Sequence, residues 1–132
     1  MAHRYLEELN NPDVYPYSLV NLDDERQEHW KHQQEEFGFD DSETWCLYHS
    51  FYAWLYERLR MYVDVCDDVI DLNFHKFDFK GKEYTQLELI NMILERLKYY
   101  FSDDYDDFNV EDARYIHEIG EIWAIILFAM WW

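Results

Sequence analysis

The stretch Trp45-Cys-Leu-Tyr-His-Ser-Phe-Tyr-Ala-Trp-Leu-Tyr-Glu-Arg-Leu-Arg-Met-Tyr62 contains the clearest structural pattern in this chain. Its apolar residues recur at alternating spacings of three and four, the period of an amphipathic α-helix: Trp45, Tyr48, Tyr52, Leu55, Leu59 and Tyr62. Asp40 followed by Glu43 forms a capping box just before it. The pattern therefore predicts a core helix over residues 41–64. The solvated face of this helix should carry Ser50, Ala53, Glu57, Arg60 and Asp64.

Two segments of different character precede this helix. Residues 1–22 contain a short helical turn at 6–9, then Asn-Asn-Pro and Tyr-Pro-Tyr. Because proline biases the preceding residue toward extended backbone, we expect an extended arm here. Residues 23–36 are strongly helix-forming and carry Trp30 as almost their only apolar residue. They predict an exposed polar helix that is attached to the core at Trp30.

Local turn and capping signals follow the core helix. Four aromatic residues around Lys80-Gly81-Lys82 predict a short β-hairpin near residues 73–84: Phe74, Phe77, Phe79 and Tyr84. The capping box of Thr85 and Glu88 predicts a helix over 86–101, and Asn109 predicts the start of a last helix over 110–130. The second half of that last helix is apolar on all sides, which is typical of a central helix.

These elements predict a mainly α fold with a minor β component. At 132 residues and 49% hydrophobic composition, the chain is long and apolar enough for one domain over residues 1–132. We expect three main helices and the hairpin to form a helical core over residues 40–132, accompanied by the polar N-terminal helix.

The charge balance restricts the classes of partner. The chain has 29 acidic and 11 basic residues, a formal net charge of −18. Binding to nucleic acid or to an anionic membrane requires clustered Lys and Arg, so this balance argues against both. The favoured partner is a protein with a basic surface. The uncharged C-terminal run from Ile122 would span about 17 Å as a helix, against ~30 Å of hydrocarbon, which is too short to cross a membrane.

The two cysteines and the first residues suggest a compartment. Cys46 and Cys66 lack CxxC spacing, and charges interrupt any apolar run near Met1 that could serve as a signal peptide. We therefore expect two reduced thiols and a cytoplasmic location in a bacterial cell.

Acidic residues recur as adjacent pairs, and they supply the first candidates for a binding surface. The residues concerned are Asp103, Asp104, Asp106 and Asp107, with Asp40 and Asp41 second. Several pairs precede helix starts, where carboxylates interact favourably with the helix dipole, so a solvated acidic surface is one interpretation. In the other interpretation, the pairs lie on one face and imitate DNA phosphates, which carry one charge per ~1.7 Å of duplex.

Motifs for catalysis or for tight metal binding are weak. Glu28 and His32 stand at i and i+4 with His29 between them, which makes these three residues the candidates for weak metal binding on the polar helix. The sequence has no HExxH, and residues 103–112 lack the alternating ligands and the glycine of a calcium loop. Nucleophile-elbow, P-loop and GxGxxG patterns do not occur either. We therefore expect a protein without enzymatic activity, cofactor or specific metal.

The aromatic content exceeds what core stripes require. Aromatic residues form 20% of the chain, and three tryptophans stand among the last ten residues. Since aromatic side chains are enriched at interface hot spots, we expect some of them at an interface. The candidates are Trp54, Tyr56, Trp131 and Trp132, although burial of the two C-terminal tryptophans in the core is an open alternative.

Four segments, taken in order, carry a resemblance to a known group of proteins. They are Phe39-Asp-Asp-Ser-Glu-Thr-Trp45, Leu55-Tyr-Glu-Arg-Leu59, the helix from Glu88 to Leu97, and the terminal helix from Gly120 to Trp132. Over residues 39–132 the chain resembles small uncharacterised accessory proteins encoded by bacteriophages and prophages, typically of Gram-positive bacteria. The shared features are helix starts and core stripes, so the resemblance transfers no catalytic residue. It implies an accessory phage protein made in the cytoplasm of its bacterial host.

Small acidic phage proteins often act by binding host factors. By this analogy we expect a non-enzymatic protein that binds a basic surface of a host protein. One form of such binding is inhibition of a defence system, in the manner of an anti-CRISPR protein or a DNA mimic. The alternative is a homo-oligomeric structural or assembly protein that uses exposed aromatic helix faces.

Overall fold

The computed structural model describes residues 3–131, which form five α-helices and one antiparallel pair of strands. The elements are α1 (Tyr17–Val20), α2 (Gln27–Phe37), α3 (Leu47–Cys66), β1 (Lys76–Phe79), β2 (Lys82–Thr85), α4 (Gln86–Tyr100) and α5 (Val110–Ile126). The predicted mainly α fold with a minor β component is confirmed. None of the described helices combines the length and apolar character needed to span a membrane.

Contacts within the chain divide it into two compact units, residues 1–57 and 58–132. Helix α3 belongs to the first unit up to Glu57 and to the second unit from Arg58 onward. The expected single domain over residues 1–132 stays a prediction.

The first unit has the helical turn predicted at residues 6–9, but two more helical segments follow it, so the predicted extended arm over residues 1–22 is wrong for its described part. The segments Leu6–Leu9 and Pro12–Val14 are 3₁₀ turns, and α1 follows them. The Asn11 side chain accepts the Asp13 N–H at 2.9 Å and caps the second turn, in which proline occupies the favourable first position. Leu6 and Val14 are buried, so each turn places one apolar side chain in the core.

Helix α2 is the predicted polar helix, and its Trp30 is buried as expected. It begins at Gln27, later than the predicted residue 23, because Asp24 accepts the Arg26 N–H at 2.9 Å and holds a turn there. The helix ends where Gly38 adopts a left-handed conformation with φ of 83°.

The predicted helix over 41–64 is divided in two. The capping box of Asp40 and Glu43 is present, but it opens a 3₁₀ turn at Asp41–Thr44, and α3 starts only at Leu47. The predicted core residues Leu55 and Leu59 are buried, but Trp45 and Tyr48 are exposed, whereas Ala53 and Tyr56 are buried. The buried face of α3 is therefore centred beside the predicted stripe.

The second unit contains the hairpin and the two helices that were predicted after it. Phe77 pairs with Tyr84 in the hairpin, whose turn residues Lys80 and Gly81 both have positive φ, 53° and 79°. The capping box of Thr85 and Glu88 opens α4 as predicted. The Asn109 side chain accepts the N–H groups of the first turn of α5, also as predicted.

The expected central position of the C-terminal helix is wrong. Helix α5 ends at Ile126 and continues as a 3₁₀ turn, Leu127–Ala129, in place of a helix to 130. A single stripe of α5 is buried, whereas Leu127, Phe128 and Trp131 after it are exposed. Helix α4 is the more deeply buried of the two helices; its buried residues are Gln86, Leu89, Ile90, Ile93, Leu94, Arg96 and Leu97.

Candidate functional site

The loop between α4 and α5, residues 102–109, is here called the acidic loop. All four of its aspartates are exposed. They are Asp103, Asp104, Asp106 and Asp107. None of the ion pairs within residues 3–131 involves any of them. Phe108 stands beside these carboxylates with 96% of its surface exposed.

The acidic loop is held in shape by the neighbouring helices. The Asp112 carboxylate accepts the Asp106 N–H at 3.0 Å and the Tyr99 hydroxyl at 2.9 Å. The Asp106 carboxylate accepts the Phe108 N–H at 2.9 Å. The hydrogen bond to Asp112 raises the pKa of Tyr99, and burial and the charges of Asp112, Asp104 and Asp106 act in the same direction. These bonds hold the loop backbone at Asp106 and Phe108.

A groove of about 450 Å³ begins beside Phe108. Asp107 and Val110 line it near the loop, and Glu118 and Glu121 line it farther along α5. Phe108 itself lines this groove, which also contains the basic side chains of Lys80 and Arg114.

The second pair of predicted acidic residues lies in the first unit, and Asp40 does not fit the prediction. Asp40 is only 1% exposed, and its carboxylate accepts hydrogen bonds from the Ser18 hydroxyl at 2.5 Å and from Gln34 at 2.6 Å. The Ser42 N–H and hydroxyl donate to it as well. The prediction that Asp40 belongs to an accessible acidic face is therefore wrong, because its carboxylate is buried and hydrogen-bonded to other residues of the first unit.

Asp41 is partly accessible and has a different role. Its carboxylate accepts the Trp30 indole N–H at 2.8 Å and lies 3.0 Å from His29 Nε2. The hydrogen bond from Trp30 is the main cause of the lowered pKa of Asp41; interactions with His29 and Gln33 also lower it, against the effect of burial. Asp41 thus supports the buried tryptophan of α2.

The predicted interface aromatics differ in exposure. Trp54 is partly exposed and Trp131 is 70% exposed, so their place at an interface stays a prediction. The prediction is wrong for Tyr56, which is buried and donates its hydroxyl to Glu8 at 2.9 Å. Trp132 lies outside the described residues.

Trp131 belongs to an open apolar pocket of about 680 Å³ in the second unit. Phe74 and Phe128 line the same pocket and are themselves exposed. Sequence reasoning missed these two residues: the sequence pattern assigns Phe74 to the hairpin, which begins only at Lys76, and Phe128 stands in an apolar run that predicts burial and exposure equally well.

A third feature surrounds Arg26 in the first unit. Its guanidinium carbon lies 4.9 Å from the ring centroids of Trp30 and Trp45, and 5.8 Å from that of Tyr17. These three rings are here called the aromatic cage. Asp24 accepts from Arg26 Nε at 2.9 Å and from Nη2 at 2.8 Å. The side-chain hydrogen bond from Arg26 is the main cause that lowers the pKa of Asp24 to about 2.

No local sequence pattern indicates the aromatic cage, since its rings come from three separate parts of the chain. The candidate metal ligands on α2 do not converge either. Within residues 3–131, no group of three or more His, Cys, Asp or Glu side chains is placed to hold a metal ion. His29 is within hydrogen-bond distance of Asp41, while Glu28 and His32 are exposed.

The acidic loop, the apolar pocket and the aromatic cage are all suited to non-covalent binding. Carboxylates attract cationic groups, exposed aromatic rings bury apolar surface, and ring faces bind cations. Comparisons of this chain with protein-family models, with curated proteins and with solved structures found no match.

Proposed function

We propose that this chain is a non-enzymatic accessory protein of phage origin that binds a basic surface of a host protein through its acidic loop. The phage setting rests on the resemblance of residues 39–132, which also makes the bacterial cytoplasm its place of action. The observation that carries the binding role is Phe108, 96% exposed beside aspartates that have no ion-pair partner among residues 3–131.

Phe108 and the aspartates would contribute differently to such a complex. Burying an exposed phenylalanine against a partner stabilises a complex by about 1.5–3 kcal/mol. Carboxylates at the rim of an interface contribute less to affinity, but they steer a basic partner and raise the association rate. An aromatic anchor with an acidic rim therefore suits a partner that is basic around an apolar cavity.

A basic surface is in many proteins the site for nucleic acid. Occupation of that surface by Asp103, Asp104, Asp106 and Asp107 would exclude DNA or RNA from it, since phosphate binding needs the same cationic side chains. Inhibition of a host defence protein, as by a DNA mimic, is the form of function that we propose on this basis.

The test compares three variants in capture from a bacterial host lysate at low and high salt, followed by titration of the recovered protein. The loop variant carries Asn at the four aspartates of the acidic loop. The matched control removes the same charge elsewhere, through Glu35→Gln, Glu36→Gln, Asp67→Asn and Asp68→Asn. The third variant is Phe108→Ala.

We expect a basic partner that is recovered at low salt and lost at high salt. The loop variant should lose this partner and the charge-matched control should retain it. Phe108→Ala should weaken binding by about 2 kcal/mol, about thirtyfold, as for a hot-spot residue. Equal loss in the loop variant and in the control would show non-specific attraction, and full retention by the loop variant would exclude the loop as the site.

The apolar pocket favours a second candidate function, self-association in a phage assembly. Phe74, Phe128 and Trp131 expose aromatic surface around one pocket, as a homodimer interface would. Because two copies with a net charge of −18 repel each other, salt should strengthen self-association, whereas it weakens binding to a basic partner. Light scattering distinguishes the two: a dimer that Phe128→Ser converts to the 16.5 kDa monomer supports this candidate. A monomer at all salt concentrations opposes it.

A further inference from the structure

We propose that the aromatic cage and Asp24 form a binding site for the guanidinium group of a partner's arginine, and that Arg26 occupies this site until the partner displaces it. The site lies entirely in the first unit, and the inference does not depend on the acidic loop.

The three rings pack on one another and bind one cation together. Their centroids lie 6.0 Å apart for Tyr17 and Trp30, 6.0 Å for Trp30 and Trp45, and 5.2 Å for Tyr17 and Trp45. Each centroid lies within 6.0 Å of the Arg26 guanidinium carbon, the range over which a cation–π interaction is significant. The guanidinium therefore interacts with all three rings of the cluster at once.

The carboxylates select the kind of cation. The two oxygens of Asp24 accept from two nitrogens of the same guanidinium, a paired arrangement that a lysine ammonium cannot reproduce. The charge of Asp41 also favours the cationic form of Arg26. The site therefore fits arginine better than lysine.

The site is open to solvent on the side of its occupant. The Arg26 side chain is 47% exposed, and Tyr17 and Trp45 each expose part of their rings. Arg26 precedes α2, so its side chain can swing outward without unwinding a helical turn. Trp30 forms the buried floor of the site.

A groove adjoins the site and could hold the residues that flank a partner's arginine. It has a volume of about 470 Å³, and Tyr17 and Trp45 line it together with Pro16 and His49. Two of the cage rings thus border both the cation and the groove. This continuity points to an arginine within a peptide segment.

Arg26 competes with such a partner as a tethered ligand. A tethered group acts at an effective concentration in the millimolar range, so a single free arginine displaces it poorly. Removal of the Arg26 side chain should therefore reveal an affinity for arginine that the native chain largely conceals.

The experiment is a titration of the intact chain with N-acetyl-arginine-N-methylamide, followed through the indole N–H signals of Trp30 and Trp45 by NMR. The lysine analogue of the probe is titrated in parallel. Arg26→Ala empties the site, and Lys31→Ala removes an exposed cation from α2 as a matched control. We expect Arg26→Ala to bind the arginine probe about tenfold more tightly than the native chain or the control does. Further substitution of Trp45→Ala should abolish this gain.

Arg26→Lys provides a second test if Arg26→Ala loses the dispersed indole signals of a folded chain. Lysine keeps a cation near the rings but cannot make the paired bonds to Asp24, so it should compete less well than arginine does. This variant should bind the arginine probe more tightly than the native chain. Two results would overturn the proposal: equal affinities of the folded Arg26 variants and the native chain for the arginine probe, or equal affinities of one variant for the arginine and lysine probes. The contact of Arg26 with the aromatic cage would then be an internal packing contact only.

Discussion

Glu118, a largely buried carboxylate on α5, should contribute strongly to stability. Its carboxylate accepts from Arg96 of α4 at 2.8 Å and from Lys80 of the hairpin turn at 3.1 Å. Arg96 is buried, with its guanidinium 4.3 Å from the Tyr115 ring centroid. Burial would raise the pKa of Glu118, but the hydrogen bonds and charges of Lys80 and Arg96 outweigh it and lower the pKa. The substitution Glu118→Gln keeps the shape and removes the charge.

The magnitude follows from the burial of the two partners. Removing one member of a fully buried ion pair costs about 3–5 kcal/mol, mainly because the other charge stays buried. Glu118 retains 16% side-chain exposure, glutamine can still accept one hydrogen bond, and Arg96 keeps its bond to the Met92 carbonyl. The half-exposed Lys80 adds at most about 0.5 kcal/mol. We therefore expect Glu118→Gln to lower the free energy of unfolding by about 2 kcal/mol.

Urea denaturation followed by circular dichroism measures this change, with Glu121→Gln on the same helix as the control. The exposed Glu121 should change stability by no more than about 0.5 kcal/mol. The folded-state pKa of Glu118 is lowered from its ordinary value of 4.5. The charge of Glu118 therefore stabilises the fold fully above about pH 4.5, and this stabilisation is lost as the pH falls below that value through the lowered pKa. The gap between native chain and Glu118→Gln should therefore close in acid. Equal effects of the two substitutions, or a gap independent of pH, would refute the reasoning.

Three further predictions concern single positions. Gly120→Ala should raise the free energy of unfolding by about 0.5–1 kcal/mol, because α5 has space for a Cβ at this position. Gly81→Ala should lower the free energy of unfolding by about 1–2 kcal/mol, because alanine rarely adopts the positive φ of this residue. Thermal denaturation of both variants measures the two changes. A thiol reagent should modify Cys46 faster than the buried Cys66, since burial raises the pKa of the Cys66 thiol; equal rates would contradict this. The Asp24 carboxyl should titrate by NMR at about 2, so its stabilising effect is complete above pH 3.8 and lost as the pH falls toward 2; titration near 3.8 would oppose this.

Local chemistry explains the parts of the fold that could be predicted from the sequence. Three of these parts depend only on residues within a few positions of one another: the capping box at Thr85, the side-chain cap at Asn109 and the glycine turn at Gly81. The sequence around each position is therefore enough to predict it. The buried face of α3 depends in addition on which side of the helix other parts of the chain cover, so Ala53 and Tyr56 are buried while Tyr48 is exposed. That choice depends on residues far away in the sequence.

The candidate site divides in the same way. Exposure of the aspartates in the acidic loop followed from their density in one short segment. Asp40 belongs to a similar pair, yet it is buried because Ser18 and Gln34, from two other elements, donate to it. The rings around Arg26 also come from positions far apart in the chain, so no local pattern predicts that they meet.

The hydrogen bonds that hold the acidic loop have a consequence for the kinetics of binding. Asp112 fixes the loop backbone before any partner arrives, so docking requires little loss of conformational entropy in this segment. Encounter should then be a single bimolecular step whose rate increases linearly with partner concentration and falls with ionic strength, without a plateau set by loop rearrangement. Loosening the loop through Asp112→Ala should lower the association rate without a comparable change in its dependence on salt.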